Sequence, residues 1–420
     1  MKVLVVGGGG REHTIIWKLA QSPMKPELFA APGNAGIAKL ATCVDIKATD
    51  VAGVVQFAKE NQIDLTVVAP DDPLMLGMVD SLEQAGLKAF GPRQNAAIIE
   101  GSKVFSKDLM KKYGIPTAAY EVFDDSEKAI SYLQTVSYPT VVKAEGLALG
   151  KGVIIAQNFE EAKAAVEDIM CDKVFGDAGS RVVIEEFLTG PEVSVLAFTD
   201  GKTIVPMVSA QDHKRALDND MGLNTGGMGA FSPSRNYTPD IANECYNTIF
   251  KPTMDAMNKE GRTFKGVIYF GLMLTPKGPR VIEYNARFGD PETQAVLPRL
   301  KTDFVDIINA VIDEKLDEIE IEWKDDAAVC IVLASGGYPS KYESGKLIEG
   351  LDSEVFKSDD LFVYHAGTKA VDGKIYTAGG RVLGVTATGK TLDDAIAKSY
   401  SALKNISFEK MHYRNDIGRK

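Results

Sequence analysis

Short apolar runs alternate with amphipathic segments over the first hundred residues of the chain. The runs KVLVVG, ELFAAPG, LTVVAP and LKAFGP are typical of buried strands. Between them lie HTIIWKLAQ, VAGVVQFAKENQ and MVDSLEQAG, in which apolar residues recur at helical spacing. Alternating strands and helices predict a doubly wound parallel sheet. Residues 1–101 are therefore expected to form an N-terminal α/β domain.

The pattern changes near residues 101, 190 and 326. A helix is predicted at SKVFSKDLMKKYG, followed by a small α+β piece from about 115 to 190 with a hairpin of TVVKA and GVIIA and the helix FEEAKAAVEDIM. Strands EVSVLAFTDG, GVIYFGLMLT and PRVIEYNARF follow, with helices around 240–258 and 301–316. The last block has strands AAVCIVLASGG and KIYTAGGRVLGVTATG and the helix TLDDAIAKSYSALKN. We expect a central domain at 102–325, with a flap at about 115–190, and a C-terminal mixed β-sheet domain with a helix at 326–420.

Composition narrows the class of protein. The 420 residues are 45% hydrophobic and 25% charged, which is the average of soluble globular chains. A net charge of -11 without a basic block argues against a nucleic-acid partner. The four cysteines are far apart, so neither a zinc site nor a disulfide framework is predicted. No apolar run is long enough for a signal peptide or a membrane span, and a cytoplasmic protein without a membrane partner is expected.

The segment VVKAEGLALGKGV resembles a phosphate-binding P-loop only superficially. Gly146 and Gly150 enclose three residues, and Lys151 is followed by Gly152 rather than by Ser or Thr. The β-branched residues after the glycines predict a hairpin whose tip folds over phosphates, with Lys143 on the entering strand and Lys151 at the tip. Taken alone, an exposed turn without function is the more frequent alternative.

The strongest local signal is RVIEYNARFGDPETQ. Residues two apart in a strand face the same side, so Glu283 and Asn285 would project together and offer the oxygen ligands that Mg²⁺ prefers. Arg287 follows on that face. A polar edge strand in water is the less favoured alternative, because Asp290 and Glu292 lie nearby. Asn285 also breaks the propensity of an apolar strand, which hints at function.

Three further segments carry candidate binding groups. In VVIEEFLTGPE, an extended segment at Glu185, Glu186, Phe187 and Leu188 can pair with an adenine edge and Glu192 can accept from ribose hydroxyls; a charged strand end is the alternative. In QDHKRALDNDMGLNTGGMGA, Asp212, His213, Lys214 and Arg215 precede a glycine-rich loop suited to a small anionic substrate, or form a solvated charge run.

The N-terminal glycine cluster does not fit a dinucleotide site. Glu12 stands where the third glycine is required, and the second strand ends in Pro32-Gly33 rather than an acidic residue. A strand-to-helix turn with free backbone N–H groups beside Arg11 remains, which suits a single phosphate; tight-turn glycines without a ligand are an equal alternative.

In their order along the chain these segments resemble the ATP-grasp ligases, and within them the phosphoribosylamine-glycine ligase family. The resemblance runs almost from end to end and includes VVGGGGREH, APGNAG, EGSKVFSKDLM, NTGGMGA, PRLKTD and AGGRVLGVTATG besides the segments above. It implies ATP-dependent joining of glycine to 5-phosphoribosylamine through a glycyl phosphate, giving glycinamide ribonucleotide, ADP and phosphate in purine biosynthesis. It also implies ATP with Mg²⁺ or Mn²⁺, and a monomer or weak dimer is expected.

The resemblance assigns roles to individual residues. The ATP phosphates would be contacted by Lys103, Lys143, Gly150, Lys151 and Gly152. Adenine would be contacted by Glu185, Glu186, Phe187 and Leu188, ribose by Glu192, and the metal by Glu283 with Asn285. The residues around glycine and the sugar phosphate would be Gly9, Gly10, Arg11, Asp212, His213, Lys214, Arg215, Asn224, Thr225, Gly226, Arg287, Gly289 and Asp290. Arg287, Lys151 and Asp212 are the catalytic candidates.

The chain departs from the family at Asp71, Glu145, Leu149, Asn219 and Leu223, and GVIYFGLMLT lacks the carboxylate that many ATP-grasp enzymes have before the metal pair. Three rival functions are a different ATP-grasp ligase, a nucleotide-sensing protein without turnover, and a dehydrogenase.

Overall fold

The computed structural model describes residues 1–146, 152–174 and 176–419, and for Asp177 the backbone alone. Its first sheet is five-stranded and parallel, in the order β3-β2-β1-β4-β5. The strands are β1 Lys2–Gly7, β2 Glu27–Pro32, β3 Thr42–Cys43, β4 Leu65–Val68 and β5 Ala89–Phe90, and the helices are α1 Gly10–Leu19, α2 Val51–Glu60, α3 Asp71–Met75, α4 Met78–Gln84 and α5 Gln94–Gly101. Val3 and Val5 pack in one hydrophobic cluster and Leu4 and Val6 in another, so both faces of the sheet are covered. The predicted doubly wound sheet is confirmed.

A four-stranded antiparallel sheet follows in the order β6-β9-β7-β8. Its elements are α6 Lys103–Tyr113, β6 Tyr120–Phe123, α7 Ser126–Leu133, β7 Thr140–Ala144, β8 Val153–Ala156, α8 Phe159–Val166 and β9 Val182–Glu186. β7 and β8 form the predicted hairpin, with Lys143 opposite Val153. The tip of the hairpin, including Gly150 and Lys151, lies outside the described residues. This sheet and its helices have a hydrophobic cluster of their own, built around Val142 and Ile184.

The central sheet is antiparallel, in the order β11-β10-β16-β17. The elements from here to residue 312 are β10 Glu192–Thr199, β11 Ile204–Pro206, β12 Gln211–Asp212, β13 Arg215–Leu217, β14 Met221–Asn224, β15 Gly229–Ser232, α9 Pro239–Cys245, α10 Lys251–Lys259, β16 Gly266–Thr275, β17 Gly278–Asn285, α11 Glu292–Val296 and α12 Phe304–Ile312. Ile268 and Phe270 of β16 share a core with the N-terminal sheet. The two sheets are therefore packed together.

The last sheet has the order β12-β15-β18-β22-β19, with antiparallel pairing among the described residues. The remaining elements of this part of the chain are β18 Ala327–Ala334, β19 Leu361–His365, β20 Thr368–Val371, β21 Lys374–Thr377, β22 Arg381–Gly389 and α13 Leu392–Leu403. β20 and β21 form a separate two-stranded antiparallel sheet. Two strands of the larger sheet, β12 and β15, come from the central segment, so the change of pattern near 326 does not coincide with an edge of this sheet. Within the described ranges, no helix has the length and apolar character needed to cross a bilayer.

Candidate active site

A cavity of about 830 Å³ lies where the sheets meet. Residues from the N-terminal turn, α6, the flap sheet, the central sheet and the C-terminal sheet all line it. The cavity brings together most of the residues predicted from sequence, namely Arg11, Lys103, Lys143, Gly152, Glu185, Glu186, Phe187, Leu188, Glu192, Asp212, His213, Lys214, Arg215, Asn224, Thr225, Gly226, Glu283, Asn285, Arg287, Gly289 and Asp290.

Glu185 is buried at the end of β9 between two lysines. Lys143 Nζ lies 3.0 Å from each of its carboxylate oxygens, and Lys107 Nζ lies 2.9 Å from Oε2. Burial alone would raise the pKa of Glu185, but Lys143 and Lys107 outweigh it and hold the pKa below its usual value. Oε1 is buried and has no aligned hydrogen bond among the described residues. The carboxylate can therefore still accept a hydrogen bond from a donor that enters the cavity.

Lys107 is a functional candidate that the sequence analysis missed. Its side chain is 2% exposed, and Nζ also donates to Thr117 Oγ1 at 2.8 Å. Burial lowers its pKa to about 8, with Glu185 opposing this shift. Lys107 follows Lys103 by one helical turn in α6, and that spacing was the available signal, because residues four apart lie on one face of a helix.

Lys103, at the start of α6, is directed to the base of the flap hairpin. Its Nζ donates to Gly146 O at 2.9 Å, and its pKa is lowered, first by burial and then by Lys143. Glu145, a departure from the family pattern, supports this region, since Ser102 Oγ donates to its Oε1 at 2.9 Å and Arg181 forms an ion pair with it. A lysine whose pKa is lowered by burial and by a neighbouring lysine indicates a concentration of positive charge, which suits a polyanion such as a nucleoside triphosphate.

Glu283 and Asn285 occupy alternate positions of β17 and both line the cavity. Lys214 Nζ lies 3.5 Å from Glu283 Oε1, and this ammonium group is the main reason that the pKa of Glu283 is lowered. Within the described residues, no group of three or more His, Cys, Asp or Glu side chains is arranged to hold a metal. One carboxylate and one amide fit Mg²⁺ or a similar hard ion that takes its other ligands from phosphate and water.

Arg287 follows β17 and is oriented from behind by Glu100. Its Nη2 lies 2.9 Å from Glu100 Oε1 and donates to Asn285 Oδ1 at 3.2 Å. Burial alone would lower the pKa of Arg287, but Glu100 and Asp71 outweigh it and raise the pKa. Glu100 is a second residue that the sequence analysis missed, and Asp71, one of the departures from the family, also lines the cavity.

Asp212 lies near three other carboxylates and one lysine. Burial, together with Glu292, Glu192 and Glu283, raises its pKa to about 8, although Lys214 opposes the shift. Lys214 Nζ lies 3.2 Å from Glu192 and so joins this group to the Glu283 side of the cavity. A carboxyl group with a pKa near neutrality is suited to proton transfer.

Arg381, on β22, connects the C-terminal sheet to the site and is a third residue that the sequence analysis missed. Its Nη2 lies 3.2 Å from Asp290 Oδ2, and Nη1 donates to Gly226 O at 2.6 Å and Asp290 O at 2.7 Å. Burial would raise the pKa of Asp290, but Arg381 and Arg11 outweigh it and lower the pKa. The Asp290 carboxylate is therefore fixed in its charged form.

The N-terminal turn differs from the expectation of free backbone N–H groups. Gly9 N donates to Glu12 Oε2 at 2.6 Å, and the Arg11 guanidinium pairs with Glu12 and donates to Phe288 O. Glu12, at the third position of α1, thus satisfies a helix-terminal donor that a phosphate would otherwise bind. Gly9 and Gly10 remain close to the cavity, since a methyl group on either would lie 3.6 Å from an Asp290 carboxylate oxygen.

The architecture agrees with comparisons to known proteins. Three family models match consecutive parts of the chain: phosphoribosylglycinamide synthetase N domain at residues 1–100, its ATP-grasp (A) domain at 101–293, and its C domain at 328–420. The chain belongs to the phosphoribosylglycinamide synthetase family. It is therefore an ATP-grasp ligase, which confirms the resemblance identified from its motifs.

Individual relatives support the assignment over the full length. The chain is 49% identical over 417 residues to a phosphoribosylamine–glycine ligase of Caldanaerobacter subterraneus subsp. tengcongensis, covering 99% of each. It is 50% identical over 420 residues to one of Halalkalibacterium halodurans, covering 100% of this chain and 97% of the relative.

Solved structures agree on the fold. The crystal structure of phosphoribosylamine–glycine ligase from Thermotoga maritima superposes with a TM-score of 0.88 at 33% identity and covers 100% of both chains. The biotin carboxylase domain of a Hydrogenobacter thermophilus 2-oxoglutarate carboxylase superposes with a TM-score of 0.75 at 17% identity, covering 98% of this chain and 91% of the other. This second similarity concerns the fold alone.

Proposed function

We propose that the protein ligates glycine to 5-phosphoribosylamine at the expense of ATP, giving glycinamide ribonucleotide, ADP and phosphate in de novo purine biosynthesis. The observation that carries this proposal is the arrangement of Lys103, Lys143 and Arg287 around the Glu283–Asn285 pair in one cavity. Cations and oxygen ligands in that arrangement suit phosphoryl transfer to a carboxylate, and the family provides the identity of the substrates.

ATP supplies the leaving group that a carboxylate lacks. A glycine carboxylate oxygen attacks the γ-phosphorus, ADP leaves, and glycyl phosphate forms. The amine of phosphoribosylamine then attacks the acyl carbon, and phosphate leaves with that carboxylate oxygen.

The nucleotide is assigned to the flap side of the cavity. Its phosphates are bound by Lys103, Lys143 and Gly152, together with Gly150 and Lys151, which lie outside the described residues. Lys151 is also one of the catalytic candidates. Glu185 accepts from the adenine amine beside Glu186, Phe187 and Leu188, and Glu192 accepts from ribose. Glu283 and Asn285 are the residues that would hold Mg²⁺ or Mn²⁺, which neutralises phosphate charge when bound.

The other two substrates are assigned to the opposite side. Arg287 neutralises charge on the carboxylate and the transferred phosphoryl group, because its planar guanidinium can contact two oxygens. Asp212 accepts the proton released by the attacking amine, for which its pKa of about 8 is suitable. Glycine and the sugar phosphate are bound by Arg11, residues 213–215 and 224–226, Gly289, Asp290, and the adjoining Gly9 and Gly10.

The proposal is tested by measuring ADP release with ATP, Mg²⁺, glycine and phosphoribosylamine generated in situ, omitting each in turn. We expect release that depends on all four, and phosphate that carries one heavy oxygen when the glycine carboxylate is labelled. Release supported by another acid or amine would assign the protein to a different ATP-grasp ligation. ATP binding without ADP release under any combination would indicate a nucleotide sensor, and unlabelled phosphate would exclude the acyl phosphate.

A further inference from the structure

The hairpin of β13 and β14 carries several cavity residues but little apolar packing. Arg215, Asp220 and Asn224 line the cavity. The large apolar side chains of the hairpin point outward, with Leu217 49%, Met221 62% and Leu223 59% exposed. An isolated two-stranded hairpin is marginal in water, so burial of its own side chains does not account for its position.

The C-terminal segment 412–416 provides the missing support through polar contacts. His412 Nε2 lies 2.7 Å from Ala216 O. Arg414 Nη1 donates to Arg215 O at 3.1 Å, and its Nη2 donates to Asp220 Oδ1 at 2.9 Å. Contacts therefore reach both the first strand and the tip of the hairpin.

A second group of contacts holds the tip itself. Asn415 donates from its backbone N to Asp218 Oδ1 at 2.7 Å and from Nδ2 to Asp218 Oδ2 at 3.0 Å. Asp416 Oδ2 accepts from Asn219 N at 2.9 Å. Asn219 and Asp220 have φ values of 59° and 56°, a left-handed conformation that Asn tolerates better than most residues. Asn219 in place of the family's usual glycine is thus compatible with this tip.

The segment 412–416 is itself fixed to the C-terminal core. His412 N donates to Ala334 O at 2.9 Å, and Ala334 N donates to His412 O at 2.7 Å. Tyr400 Oη donates to Arg414 O at 2.8 Å, and the following Ile417 is fully buried. The Arg414 side chain is 0% exposed, and it also forms an ion pair with Asp416 at 2.7 Å. A rigid anchor therefore lies at one end of these contacts and a cavity wall at the other.

We propose that the segment 412–416 positions the β13–β14 hairpin, with Arg414 as the main positioning residue, and thereby sets the affinity for the small substrates. This rests on the proposed function in one respect, the assignment of the hairpin side of the cavity to glycine and phosphoribosylamine. The nucleotide and metal residues lie on or next to α6, β7, β9, β10 and β17 instead, so the segment should affect ATP binding much less.

Two variants and a matched control test the proposal. Arg414→Lys keeps the buried charge but cannot reach Asp416, Asp220 and Arg215 O together. Asp218→Ala removes two hydrogen bonds at the exposed tip and carries little risk for folding. Arg93→Lys is the control, because it makes the same substitution at an exposed arginine whose ion pair is with Glu83 of α4.

Hydrogen exchange of the full chain, followed in peptides covering residues 213–225, measures the hairpin without any ligation assay. We expect exchange to be faster by about tenfold in the two variants, since each loses contacts to a charged group. We also expect the KM values for glycine and the amine to rise about tenfold, with kcat and the KM for ATP within about twofold of wild type. Arg93→Lys should match wild type in both measurements.

The outcomes separate the two proposals. Unchanged hairpin exchange in both variants, or an equal change in Arg93→Lys, would overturn the positioning role. Faster exchange with unchanged KM values for glycine and the amine would also overturn it, because the hairpin would then not set substrate affinity. A wild-type protein without ligase activity would overturn the proposed function, whereas the exchange comparison would still decide whether Arg414 positions the hairpin.

Discussion

Glu100 holds Arg287 through a carboxylate–guanidinium contact of 2.9 Å. The other carboxylate oxygen of Glu100 accepts from Ala286 N at 2.7 Å, so one buried side chain fixes both the end of β17 and the guanidinium beside it. Arg287 Nε is buried and has no hydrogen-bond partner among the described residues. Part of the guanidinium is thus available to a substrate while the rest is fixed.

Replacing Glu100 by Gln should lower kcat by about tenfold or more, because it removes the buried charge partner of Arg287. The KM for ATP should be nearly unchanged. The amide keeps an acceptor for Ala286 N, so the fold should persist. Steady-state kinetics check this. Glu83→Gln is the control, because Glu83 forms an exposed ion pair with Arg93. An equal kcat in both variants would contradict a positioning role for Glu100.

Arg287 itself should tolerate neither loss of charge nor loss of shape. Arg287→Lys keeps the charge but not the two-oxygen geometry, so turnover should fall strongly with ATP binding retained, and Arg287→Ala should lower turnover further. Turnover and nucleotide binding are measured separately, by ADP release and by calorimetry. Unchanged turnover in both variants would remove Arg287 from the catalytic assignment.

For Glu283 and Asn285, the proposed metal ligands, the expected effect is on the dependence of activity on Mg²⁺. Glu283→Gln removes the one anionic oxygen of the pair, so activity should fall by orders of magnitude at limiting Mg²⁺ while the melting temperature is retained. Asn285→Asp adds a charge beside Arg287 and should shift the metal concentration that gives half-maximal activity. Near-normal turnover of Glu283→Gln at limiting Mg²⁺ would mean that the pair is structural.

These residues also show where sequence analysis succeeds and fails. Glu283, Asn285 and Arg287 are predictable from the sequence because they stand two residues apart in one extended segment, so that local spacing alone predicts a shared face. Glu100 acts on Arg287 from 187 positions away along the chain, and its own surroundings look like an ordinary helix end. Such a pair becomes visible only when the fold brings α5 against β17.

Similar limits explain the other differences between the predictions from sequence and the structure. Strand pairing across long separations joined β12 and β15 to the C-terminal sheet, which periodicity cannot indicate. β3 is only two exposed residues, too short for an alternating pattern. The expectation of free N–H groups at the N-terminal turn is wrong for Gly9, because Glu12, which stands where a dinucleotide site needs a third glycine, accepts a hydrogen bond from Gly9 N.

Lys107 should control recognition of the adenine amine through Glu185. Lys107→Met removes one of the two cations that keep Glu185 charged, so its pKa should rise and the carboxylate should become a poorer acceptor. We expect the KM for ATP to increase about tenfold and the preference for ATP over GTP to decrease, measured with both nucleotides. Lys111→Met is the control, because Lys111 is on the same helix and lies over the Tyr120 ring at 5.4 Å. An unchanged ATP-to-GTP preference in Lys107→Met would contradict this role.

The contact between the N-terminal and C-terminal domains should be sensitive to acid. His365 N donates to His13 Nδ1 at 2.7 Å, and both rings are buried next to each other. Burial and Lys39 lower the pKa of His13 to about 3, and burial, His13 and Lys39 lower that of His365 to about 3. Tyr364 packs edge-on against His13, and Thr368 Oγ1 lies 3.1 Å from His365 Nδ1. Neither neighbour supplies a negative charge for a protonated ring.

Because the folded-state pKa lies below the ordinary value of 6.5, the unfolded chain binds more protons between pH 6.5 and about 3. Stability is thus complete above pH 6.5 and decreases as the pH falls. At pH 5 each histidine should lower the free energy of unfolding by about 2 kcal/mol, because pH 5 lies about 1.5 units below the ordinary pKa and each unit corresponds to about 1.36 kcal/mol. His13→Asn keeps an acceptor for His365 N and cannot take up a proton, so between pH 7 and pH 5 it should lose about 2 kcal/mol less of its unfolding free energy than wild type. Urea unfolding at the two pH values measures the difference, and an identical loss in both proteins would show that His13 is not the group that takes up the proton.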